Sequence, residues 1–159
     1  MLPKCAATAG VCEPYAPRMK LPTWMRAALL ATAVMNVAGS AAFLPVAAPL
    51  RLALGLPDAG HPLFPATIAS FILVFGVAYG WAGVTARADH LFIAVAAAGK
   101  LAFFGLLAGF WAVGDLPAAA PMAGMGDLVF GVLFAVWLIR SVRDRPSASS
   151  ERKPLLSPP

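Results

Sequence analysis

Four polar side chains stand inside long apolar runs, where polarity is costly: Asn36, Tyr79, Lys100 and Asp127. A charge at the centre of a bilayer costs about 2.5–3.5 kcal/mol on insertion scales, so such a residue is expected to have a partner or a purpose. Depth follows from the helical rise. Asn36 lies ten residues from Arg26 and Lys100 ten from His90, each ~15 Å deep; Tyr79 lies eight from Arg87, ~12 Å; Asp127 lies thirteen from Arg140, ~20 Å. One residue from each apolar run therefore falls in a single slab, and the long lysine stem spans the remaining offset to Asp127. Two chemistries are open to this set. It can be an interhelical clamp, with Lys100 and Asp127 paired and Asn36 and Tyr79 supplying hydrogen bonds. Or it can be a small polar pocket or proton site built on the buried lysine. The clamp is the favoured reading.

Other candidates carry less. Cys5 and Cys12 could form a metal or redox pair, but no histidine or second cysteine pair lies near them, so two simple thiols is the favoured reading. His61 and His90 fall at helix mouths on opposite sides and cannot share a metal. Gly124-Met125-Gly126 opens an apolar run without a preceding strand, so it is not a nucleotide loop. No metal, cofactor or catalytic motif is implied, and an enzyme is not the expectation.

The elements that position the four residues follow from composition. The chain has 159 residues, 60% hydrophobic and 12% charged. A soluble domain is usually about 45–50% apolar and about 25% charged, so the bilayer must be the solvent for much of this surface. Four stretches avoid charge: Ala27–Leu50, Pro62–Ala86, Leu91–Gly114 with only Lys100, and Leu116–Ile139 with only Asp127. Each reaches the ~20 residues a helix needs to cross ~30 Å of hydrocarbon. Strand alternation is absent. The predicted fold is all-α, an integral membrane four-helix bundle with helices at about 25–48, 65–86, 91–113 and 121–141. Residues 1–23 read as a disordered cytoplasmic N-terminal tail, and 142–159, rich in Ser, Pro and charge, as a disordered cytoplasmic tail.

The basic residues sort by side. Lys4, Arg18, Lys20 and Arg26 precede the first helix; Arg87 lies between the second and third; Arg140, Arg143, Arg145, Arg152 and Lys153 follow the fourth. The other side has Arg51 alone. Positive-inside then puts both termini in the cytoplasm, an N-in/C-in bundle in the inner (plasma) membrane. The net charge of +5 is read as anchoring, and nucleic acid is not an expected partner. Trp24 and Trp137 near the inner ends and Trp111 near the outer end fit an aromatic belt.

The first helix has a second reading. Its basic start, apolar run and Ser40-Ala41-Ala42 have the form of a cleaved secretory signal, but the uncharged run continues to Leu50, which favours a retained anchor. Met19 is an alternative start to Met1. Gly76-x-x-x-Gly80 and Gly105-x-x-x-Gly109 are small-residue spacings that suit close helix packing within the bundle or dimerisation.

The pattern resembles the small, mostly uncharacterised four-helix bacterial inner-membrane proteins called DoxX-like. The residues that carry the resemblance are Asn36 with Phe43-Leu44-Pro45, Gly76-Val77-Ala78-Tyr79-Gly80, Gly99-Lys100, and Asp127 with Trp137. The resemblance covers about residues 25–140 and departs at Gly126, where relatives often carry Asn. It implies the four-helix fold and no settled activity. Three functions stand as expectations: a non-enzymatic accessory or interaction subunit, favoured; a small carrier or proton-linked transporter using the Lys100–Asp127 region; and a quinone-contacting redox partner near Tyr79 and Lys100. The expected partners are the lipid bilayer and other membrane proteins or a second copy.

Overall fold

A computed structural model describes residues 19–57 and 60–143. The described chain is all-helical apart from one short strand pair. Helix α1 (Thr23–Ala42) leads through a 3-10 turn (Pro45–Ala47) into the short α2 (Ala48–Ala53). Then come α3 (Leu63–Thr85), α4 (His90–Ala112), the short α5 (Ala119–Ala123) and α6 (Met125–Arg143). Helices α1, α3, α4 and α6 are long and apolar enough to cross a membrane, as the uncharged stretches predict. Their outward faces carry large apolar side chains such as Phe71, Val77, Trp81 and Leu106, the pattern of a bundle whose solvent is hydrocarbon.

The first predicted helix, 25–48, is corrected. It stops at Ala42 and the chain turns through Pro45 into α2, because Pro45 and Pro49 withhold the N–H groups that a continuing helix would need. The fourth, 121–141, is likewise two pieces, α5 and α6, divided at Gly124. This break puts Asp127 in the first turn of α6. There the positive end of the helix dipole favours its negative charge.

Residues 19–21, expected within the N-terminal tail, are ordered. Strand β1 (Met19–Lys20) pairs antiparallel with β2 (Arg87–Ala88) of the α3–α4 connection, Met19 opposite Ala88 and Lys20 opposite Arg87. The backbone N–H of Leu21 donates to the carbonyl of Ala86 at 3.1 Å, and Leu21 is buried. Cys5, Cys12 and the basic residues from Arg145 onward lie outside the described residues.

The helices are packed as two pairs, α1 against α3 and α4 against α6, with a thinner seam between the pairs. Glycines set the approach of the first pair. A Cβ placed on Gly76 would sit 3.1 Å from the Cβ of Asn36, and one on Gly83 would sit 2.8 Å from Leu30 Cγ. In the second pair Gly131 gives the room, with Leu101 atoms 2.9 Å from where its Cβ would be. The core of the seam is Met25, Leu29, Tyr79, Ile93, Phe134 and Trp137.

Candidate functional site

The seam between the two helix pairs is joined by polar groups at its centre. Lys100 stands at the middle of α4 and is 5% exposed. Its Nζ donates to Asp127 Oδ1 on α6 at 2.6 Å and to Asn36 Oδ1 on α1 at 3.2 Å. The same Nζ lies 5.6 Å from the centre of the Tyr79 ring on α3, within reach of a cation–π attraction. An ammonium has three donors, and here two go to oxygens while an aromatic ring lies close by. All four residues singled out in the sequence therefore meet around one nitrogen.

Each partner is held in turn. Asn36 uses its Nδ2 to donate to the main-chain carbonyl of Ile72 at 3.2 Å, which turns its Oδ1 toward the lysine. Gly76 is what admits Asn36 to this position, since any side chain there would press on the Asn36 Cβ. Tyr79 is buried by a ring cluster, with Phe75, Phe92 and Phe134 at centroid distances of 6.1, 5.6 and 6.0 Å. Its role differs from the expected one: it faces the cation with its ring, and no hydrogen bond of its hydroxyl is found among the described residues. Asp127 is the most open member, its side chain 22% exposed. Chemically, the set pairs a buried cation with a half-buried carboxylate and spreads the cation over three helices besides its own.

The glycine pairs divide. Gly76 and Gly80 face α1, with Asn36 and Ala33 as the atoms nearest an added Cβ. Gly105 and Gly109 meet nothing within 4 Å, so the reading of these two as packing within the bundle is corrected: they lie on an outward face of α4. Trp137 is also corrected. It is buried and stacks on His90 with ring centroids 5.4 Å apart, whereas Trp24 and Trp111 are exposed as a belt requires. His90 further meets the Ser141 hydroxyl at 3.1 Å, tying the start of α4 to the end of α6.

Three residues were missed by sequence reasoning. Arg51 was counted only for its charge, yet it is 6% exposed and its Nη1 donates to the carbonyls of Ala42 at 3.2 Å and Leu44 at 2.7 Å. The signal was available, since Arg51 stands between Leu50 and Leu52. Arg26 donates from Nε to the carbonyl of Gly83 at 3.2 Å, fastening α1 to α3. Thr32, one turn before Asn36 on the same face, is fully buried and its Oγ1 has no partner among the described residues.

The fold and the site define a class: a small helical bundle, four of its helices able to cross a membrane, closed at mid-height by a lysine–aspartate pair. The chain matches no family model, no curated protein and no solved structure.

Proposed function

We propose that this chain is a small multi-pass inner-membrane protein of the DoxX-like kind, with both termini cytoplasmic, acting as a non-enzymatic accessory or interaction subunit. The observation that carries it is the occupancy of the Lys100 ammonium by groups of its own chain, Asn36, Asp127 and the Tyr79 ring. A clamp of this kind fixes which helices are neighbours and leaves the outward faces for lipid and protein partners. Orientation is supported by the basic asymmetry, ten residues against Arg51, and by the strand pair that holds Lys20 and Arg87 at one end.

The deciding experiment is the double change Lys100→Met with Asp127→Leu. Two apolar groups in lipid need no partners, so thermal stability in detergent and growth complementation in cells should return together. Recovered stability without recovered function would transfer the pair to the carrier reading. Reporter fusions after Ala86 and Arg145 should behave as cytoplasmic and one at Gly60 as external; the reverse pattern would overturn the orientation.

A second reading, a quinone-contacting redox partner, is favoured by one feature. A groove of about 490 Å³ opens on the outside of the bundle between α3 and α4, lined by Val77, Ala78, Trp81 and Phe92 with Arg87 and Asp89 at its rim. Phe92 packs directly on Tyr79. A photoactivatable quinone that labels this groove, with labelling lost on Ala78→Trp, would favour the redox partner over the accessory subunit.

A further inference from the structure

At the end of the bundle opposite the strand pair, the exit of α1, the helix α2 and the start of α3 enclose a cavity of about 170 Å³. Arg51, His61, Gly60, Pro45 and Pro65 are among its walls. Arginine stays protonated at any pH a cell offers, so Arg51 brings a full positive charge to this cavity. It is more than nine-tenths buried, and no carboxylate pairs with it among the described residues. Both hydrogens of Nη1 are committed to the carbonyls of Ala42 and Leu44, at 3.2 and 2.7 Å. Those bonds aim the side chain but bring no negative charge. The Nη2 and Nε hydrogens make no such bond among the described residues, and they form the edge that a planar or tetrahedral oxyanion grips with two parallel hydrogen bonds.

The neighbouring groups favour the same ligand. His61 accepts the backbone N–H of Leu63 on its Nδ1 at 3.2 Å. In the neutral ring that leaves the hydrogen on Nε2, so His61 offers the cavity a donor. Helix α3 begins beside the cavity, so the positive end of its dipole lies there, but the N–H groups of Leu63, Phe64 and Ala66 are spent within the turn and Pro65 has none. A fixed cation and an imidazole line the same cavity, and the described walls present no acid.

We propose that this cavity is an oxyanion site for a phosphate group, with Arg51 as the bidentate ligand and His61 as a second donor. The phosphate comes from an anionic lipid headgroup or from free phosphate, and the two sources are separated by the choice of probe. This goes beyond the accessory reading and stands whether or not that reading holds, because it concerns the other end of the bundle.

The test uses the full chain in nanodiscs of phosphatidylcholine. In one arm inorganic phosphate is titrated; in the other, phosphatidylglycerol replaces part of the lipid. Thermal unfolding and native mass spectrometry read the result. For a lipid headgroup, phosphatidylglycerol raises the unfolding temperature and is retained in the spectrometer, while inorganic phosphate does little. For free phosphate, the first arm saturates and the second is flat. Either result supports the site provided that His61→Ala, at an exposed position, weakens binding several-fold and Arg51→Met abolishes it. Equal binding by wild type and both variants places the anion elsewhere and overturns the proposal. So does a flat response in both arms.

Discussion

Lys100 and Arg51 are buried to nearly the same degree, 5% and 6% exposed, and meet the demand of a buried cation in opposite ways. Lys100 draws its oxygens from far along the chain, 64 residues away at Asn36 and 27 at Asp127, and one of them is a full negative charge. Arg51 draws its oxygens from 9 and 7 residues back, both of them main-chain carbonyls at the exit of α1. The first arrangement is tertiary: it can exist only when three helices have assembled. The second is local: it can exist once α1 has stopped and α2 has turned back on it. A buried charge with a distant partner specifies topology, and one with near partners specifies a bend.

The largest effect should come from dividing the tertiary pair. Lys100→Ala and Asp127→Ala each leave a charge uncompensated, and each should cost about 3–5 kcal/mol in unfolding measured in detergent. Additive losses in the double alanine variant would mean that the two residues do not interact, and the comparison would fall with them. Arg51→Ala should cost less, about 1.5–3 kcal/mol for charge-assisted hydrogen bonds. Its effect should be confined, with hydrogen exchange rising over 43–54 while the centres of α4 and α6 stay protected; loosening of α4 would erase the distinction between local and tertiary.

The glycines sharpen the same contrast between neighbours that are present and neighbours that are absent. Gly76→Val drives a side chain into Asn36 and should cost about 1–3 kcal/mol. Gly105→Val, whose Cβ meets nothing, should stay within about 0.5 kcal/mol in the isolated chain. A large loss at Gly105 would reveal a partner helix, and a concentration series would then show self-association. The smallest effect is predicted for a polar group with no partner at all. Thr32→Val removes a buried hydroxyl that bonds to nothing among the described residues, and should leave stability unchanged or raise it by up to about 1 kcal/mol. A clear loss in thermal unfolding would mean that Oγ1 is bonded after all.

The central cluster was legible because two properties of the sequence agree. The long uncharged runs define helices, and the helical rise converts distance from a flanking charge into depth, which put Asn36, Tyr79, Lys100 and Asp127 at one height before any packing was known. What each residue does there was only partly legible. Depth says that Tyr79 is near the lysine; it does not say whether ring or hydroxyl faces it. The two glycine pairs show the same limit. Gly76 with Gly80 and Gly105 with Gly109 share one spacing, which states that a helix face is small and not what stands opposite. The breaks after Ala42 and at Gly124 were hidden by hydropathy, which continues through Pro45 and through α5 without a change of character. Trp137 was misplaced because tryptophan near a helix end suits an interface and a core equally; the stack with His90 decides it, and only assembly creates that stack.

The order in which a ribosome delivers these residues gives the Asn36 contact a further consequence. Asn36, Ile72 and Tyr79 precede Lys100 in the chain and Asp127 follows it, so in a bundle assembled in chain order Lys100 meets Asn36 and Tyr79 before α6 has docked. In a bilayer, a lysine at the middle of its span would carry an insertion cost of about 2.5–3.5 kcal/mol until its aspartate arrives. The amide oxygen of Asn36, already turned outward by its bond to Ile72, and the face of Tyr79 offer the newcomer a temporary berth. If the helices dock in that order, removing the Asn36 oxygen should show as lost yield during assembly as well as lost stability in the finished bundle, where the same contact persists.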